Sequence, residues 1–132
     1  MASDTTKELG SEIAAALLVK AKEYRLANID ERMVSSKTTG LVDYRLQGKR
    51  DKIVAGDESV TWKFDVVESG DSVEIVATAP KDRGGMVSTW GVITAQGRIG
   101  KDTLSAGEGI DLTDDAAKES LLASMSHLGT HW

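Results

Sequence analysis

Ser59-Val-Thr-Trp-Lys-Phe-Asp-Val-Val67 and Ser72-Val-Glu-Ile-Val-Ala-Thr78, joined by Glu68-Ser-Gly-Asp71, decide how this chain is read. In the first segment Val60, Trp62, Phe64 and Val66 alternate with Thr61, Lys63 and Asp65. Successive side chains of a strand point to opposite faces, so strict alternation means one buried face and one wet face. The second segment alternates in the same way. Between them Gly70 supplies the positive φ that a tight turn demands. Setting Val67 opposite Ser72 puts Val66 beside Val73, Phe64 beside Ile75, Trp62 beside Ala77 and Val60 beside Ala79. Every apolar partner then falls on one face, so turn and pattern agree.

Outward from this hairpin, the loop Pro80-Lys-Asp-Arg-Gly-Gly85 leads to a third strand over 86–96. Met86, Ser88, Trp90 and Val92 extend the Trp62 face, and Gly91 marks a bulge or a close approach. A short continuation falls at Arg98-Ile99, and the Gly-rich acidic stretch 100–112 reads as a loop. On the N-terminal side, Leu41-Val-Asp-Tyr-Arg-Leu46 reads as a strand and residues 47–57 as a polar connection. Before it lies a long helix. Ser3 or Asp4 caps it, and Leu9, Ile13, Leu17, Tyr24 and Met33 recur near helical spacing until it fades at Ser35-Ser36. Gly10 weakens its first turns by about 1 kcal/mol relative to Ala. The last helix starts at Thr113 with Asp114 and Asp115 at the positive end of its dipole. Its apolar stripe is Ala117, Leu121, Met125 and Leu128, and Gly129 ends it. The predicted architecture is one α+β domain over 1–132: an antiparallel sheet of about four strands, flanked by a long N-terminal and a shorter C-terminal helix.

Composition narrows the function classes. A chain of 132 residues buries about two-thirds of the surface its extended form exposes, enough for a core without staples. With no Cys there is no disulfide framework, thiolate nucleophile or Cys-ligated metal. The apolar run Ile13-Ala-Ala-Ala-Leu-Leu-Val19 is too short to span a membrane and follows no basic leader. A cytoplasmic protein that makes no membrane contact is the resulting expectation. The net charge of −5 is unevenly spread. Residues 45–52 are basic and 102–119 acidic, which suits orientation against a charged partner or a second copy.

Several residue groups are chemically suggestive. In the register above Asp65 faces Glu74 on the outer side; paired carboxylates hold a cation or raise one pKa, but on a solvated face water simply screens them. Arg45, Lys49, Arg50 and Lys52, read as a loop tip near Tyr44, suit phosphate contacts with an anion or a nucleic acid. Trp62, Phe64 and Trp90 line a ligand pocket between the sheet and the first helix if that space is hollow, and form plain core if it is filled. Lys81-Asp-Arg-Gly-Gly85 offers convergent backbone N–H groups but lacks phosphate-loop spacing. His127 and His131 have metal-ligand spacing, interrupted by Gly129. The acidic stretch lacks the calcium-loop pattern and no Ser sits in a nucleophile elbow. No cofactor motif is present and no metal is expected.

The outer face also carries Val67 and Val76, joined by Val87 and Ile93 if the third strand keeps phase. Such a β-branched row marks an interface, unless the sheet curls to bury both faces around the first helix. The sequence therefore points to a non-catalytic binding or assembly module, self-associating as a homo-oligomer and docking a protein partner. The alternatives are a small-ligand or enzymatic pocket and an anion or nucleic-acid binder through 45–52.

Overall fold

The computed structural model describes residues 2–38, 44–81 and 84–124, with backbone alone at 24, 26–38, 44–49 and 58. The order is α1 (Asp4–Thr38), α2 (Tyr44–Ala55), a 3₁₀ turn (Glu58–Val60), β1 (Lys63–Ser69), β2 (Ser72–Thr78), β3 (Val87–Ile93), β4 (Arg98–Gly100), α3 (Thr103–Ala106), β5 (Ile110–Asp111) and α4 (Asp115–Ser124). The five strands form one antiparallel sheet in sequential order. This is the expected α+β fold, with a small fifth strand inside the stretch read as a loop.

The capping oxygen of α1 is Ser3 Oγ, which accepts from Thr6 N at 3.2 Å. Four-residue spacing then places Ile13, Leu17 and Ala21 on one stripe, all at most 1% exposed. Ile13 and Leu17 share one core cluster with Val73, Ile75, Ile93 and Ile99 from the sheet and with Leu112 and Leu121 from the C-terminal segments. Each fully buried Ile or Leu contributes about 1.5–3 kcal/mol. Ion pairs mark the rim: Lys7 meets Glu68 at the end of β1, and Lys118 Nζ lies 3.3 Å from Glu12. α2 packs against α1 and buries Ile53.

The hairpin register differs from the expected one by two residues. Ser69 pairs with Ser72, so the loop is only Gly70-Asp71, with Gly70 at φ 61°. Phe64 therefore faces Ala77, and Val66 faces Ile75. A two-residue shift leaves every side chain on its expected face, because the strand period is two. Trp62 and Val60 lie outside the strand, Val60 in the 3₁₀ turn.

Other departures have local causes. Residues 44–46 belong to α2 rather than to a strand; a six-residue alternation is too short to separate the two periods, and residues 41–43 lie outside those described. In β3 a bulge intervenes: Val76 faces Thr89, but Ile75 faces Gly91, leaving Trp90 as the extra residue. The phase flips there, so Ile93 faces Val73 in the core at 0% exposure and is not part of an outer patch. At α4 the capping oxygen is Asp114 Oδ1, accepting from Ala116 N at 3.1 Å, rather than Thr113, whose hydroxyl is bound to Asp111 at 2.6 Å. Met125, His127, Leu128 and His131 lie outside the described residues.

Candidate functional site

β3 is two different half-strands. From Trp90 to Ile93 it is buried; from Val87 to Thr89 it is exposed. β4 pairs only with Val92 and Ile93, so among the described residues no strand lies beside the first half of β3 on the side away from β2. Its two faces are bare as well. Ser88, on the helix-facing side opposite Ala77, is exposed, as are Val87 and Thr89 on the outer side. Val87 is 64% and Met86 73% exposed.

Backbone polarity along this half follows from one bond. Ala79 N donates to Met86 O at 2.8 Å, making that pair hydrogen-bonded. Antiparallel pairs alternate, so Ser88 bonds toward Ala77, while Val87 and Thr89 turn their N–H and C=O groups to the open side. Such an edge is normally protected by charge, proline or a covering element. Here residues 84–97 contain no charged residue and no proline. The β1 edge of the sheet, by contrast, carries charge in Lys63, Asp65 and Glu68.

The outer face of the first three strands is mixed in character. Lys63, Thr78 and Val87 form one row, Asp65, Val76 and Thr89 the next, and Val67, Glu74 and Val92 the third. Asp65 thus faces Val76, and Glu74 faces Val67. The expected directly opposed carboxylate pair does not form, because the shorter turn moves the two onto a diagonal, typically about 7–8 Å. The face is not open throughout. α3 rests on it at β4: a β-carbon on Gly100 would stand 2.6 Å from Ala106 Cα, and Val92 beside Gly100 is 3% exposed.

Two hollows flank β1. One, of about 280 Å³, lies where α1 meets the start of β1 and is lined by Leu18, Lys22, Trp62, Lys63, Phe64 and Asp65 among others. The Trp62 and Phe64 rings stack there, 6.2 Å between centroids and 16° between planes. Trp90 does not join them: it sits in the core cluster at 8% exposure, and the centre of the helix–sheet space is filled by side chains. The second hollow, of about 270 Å³, brings Lys63 and Lys81 together with Ser59, Thr61 and Thr78. Lys63 reads in sequence only as an outward strand residue, and no spacing signal links it to Lys81.

The basic segment is helical rather than a loop tip. In α2, positions 45, 49 and 52 fall on one helical stripe and position 50 lies off it. Lys52 is exposed and Arg50 half-buried, while the side chains of Arg45 and Lys49 are outside those described. The acidic segment is largely used locally. Asp102 accepts from Ser105 N at 2.8 Å in the capping box of α3, and Asp111 accepts from Thr113 N at 2.9 Å. These bonds hold both carboxyls below their ordinary range. Across β4–β5 Arg98 pairs with Asp111 and donates to the Gly109 carbonyl.

Among the described residues no three His, Cys, Asp or Glu side chains converge as metal ligands, and no helix is long and apolar enough to cross a membrane. The chain matches no protein-family model, no curated protein and no solved structure.

Proposed function

We propose that this chain is a non-catalytic assembly module that binds a second copy of itself through its sheet. The supporting observation is the open half of β3, which is uncharged and exposed and, among the described residues, is bonded to a strand on one edge only. An edge of this kind is a template for another strand, and leaving it bare is a hazard that proteins ordinarily avoid. Sedimentation velocity over a wide concentration range tests the reading. A dimer or larger species that grows with concentration is expected. A single monomeric species up to millimolar protein overturns it.

A second reading has its own observation, the stacked Trp62–Phe64 pair with Lys22 and Lys63 at one hollow. Half-buried rings beside two ammonium groups suit a planar anionic ligand of small size. Titration with adenosine monophosphate, followed through Trp fluorescence and calorimetry, tests it. Saturable binding that is lost in Trp62→Ala is expected, and no binding at millimolar ligand removes this reading.

A further inference from the structure

We infer that two copies of the chain pair their β3 strands antiparallel about a two-fold axis through Ser88. The inference rests on the assembly reading above and adds which residues meet. Val87 and Thr89 are the residues of the open half whose backbone groups point away from β2. A two-fold centred on Ser88 sets Val87 against the partner's Thr89, and Thr89 against the partner's Val87. Both become hydrogen-bonded pairs, each exchanging both of its backbone bonds. Centring on Val87 sets Thr89 against the partner's Gly85. Centring on Thr89 sets Val87 against the partner's Gly91, a buried residue beside the bulge. Only the Ser88 axis satisfies both outward residues within the exposed half.

A second copy is the occupant that the charges favour. Residues 84–97 carry no charge, so two identical edges approach without repulsion. The β1 edge, with Lys63, Asp65 and Glu68, is protected in the manner of edges that stay unpaired. Pairing β3 with β3 therefore closes: it uses both open halves in one interface and leaves the charged β1 edges unpaired, where an open β3-to-β1 chain would grow without limit. The bulge at Trp90 and the start of β4 pairing at Val92 stop the ladder on each side. Val87 lies diagonal to the partner's Val87 on the outer face, which covers a branched apolar side chain that is otherwise 64% exposed.

The chain has no cysteine, so Ser88→Cys introduces the sole thiol. At the axis the two Ser88 residues form a non-hydrogen-bonded pair with Cα atoms about 4.5 Å apart, inside the range a disulfide spans. Under mild oxidation Ser88→Cys is expected to cross-link into a covalent dimer at least tenfold faster than Ser11→Cys, an exposed control on α1. An oxidised mixture of Val87→Cys and Thr89→Cys is expected to give mainly the heterodimer. Val87→Lys, checked for folding by circular dichroism, is expected to sediment as a monomer. If the native chain dimerises but Ser88→Cys cross-links no faster than the control, the register is overturned while the assembly reading stands. If the native chain stays monomeric, both fall.

Discussion

Gly10 lies against Val66: a β-carbon on the glycine would stand 3.0 Å from Val66 Cγ1 and 3.1 Å from Val73 Cγ2. The glycine that weakens the helix as an isolated element is what lets α1 approach the β1–β2 hairpin. Two opposing terms set the effect of filling the gap. Alanine gains about 1 kcal/mol of helix propensity, but Val66 must give way by a few tenths of an ångström. Val66 is half-buried and can move, whereas Val73 is fully buried and yields less; the gain and the crowding are of similar size, so Gly10→Ala is expected to change stability by less than about 1 kcal/mol. Gly10→Val adds two more methyl groups against Val73 and is expected to cost about 1–3 kcal/mol. Urea denaturation of both variants checks the contrast.

Gly109 has no such latitude. A β-carbon there would stand 1.9 Å from Ile99 O and 2.8 Å from Ile99 C, which are backbone atoms of β4. Relief requires separating β5 from β4, with loss of the Arg98 bond to the Gly109 carbonyl. Gly109→Ala is expected to destabilise by about 2–3 kcal/mol. Faster hydrogen exchange at the Leu112 amide, which donates to Gly97 O at 2.8 Å, is the local readout.

Leu17 and Lys118 both join α1 to the rest of the molecule, and they are expected to differ several-fold. Leu17 is 0% exposed at the centre of the core, so Leu17→Ala is expected to cost about 2–5 kcal/mol. Lys118 reaches Glu12 at the rim with both side chains partly in solvent. Lys118→Ala is expected to cost less than about 1 kcal/mol, and less still in high salt. Thermal melts at low and high salt separate the two.

Acid is expected to destabilise the fold through identified carboxylates. Glu68 is held below its ordinary value of 4.5 by the hydrogen bond and charge of Lys7. Asp57 is held below 3.8 by bonds from Ser59, Asp102 by bonds from Ser105, and Asp111 by bonds from Thr113. A lowered folded-state pKa contributes stability that is present above the unfolded value and is lost as pH falls through the folded one. The melting temperature should therefore drop as pH falls below about 4.5, and Glu68→Gln should flatten the upper part of that decline. Lys7 has the opposite sign: raised above 10.5 by Glu68, it stabilises at and below that pH and ceases to as pH rises through its folded value. Melts of Lys7→Met across both ranges check the pair.

How much of this was legible in the residues varies by element. Two alternating segments with Gly70 between them sufficed for β1, β2 and their buried faces. The pairing register was not legible, because both a four-residue and a two-residue turn keep the apolar side chains together, and only the conformation at Gly70 chooses between them. Residues 44–46 misled because so short an alternation fits two periods, and the burial of Ile53 against α1 belongs to tertiary packing. Of the candidate pocket, Trp62 and Phe64 line one hollow together, and Trp90 sits in the core cluster instead. The bulge that sends Trp90 inward was signalled only by a neighbouring glycine.

By itself the sequence determined the class of the fold and which side of each early strand is greasy, because side-chain alternation and helical spacing are properties of a single segment. Tertiary structure alone decided where the sheet is left uncovered. Coverage depends on how far α1 extends across the strands, where β4 begins to pair and what α3 shields, and all three are set by contacts between residues distant in the chain. That is why Val87 and Ile93, alike as branched residues of one strand, end respectively in solvent and in the core.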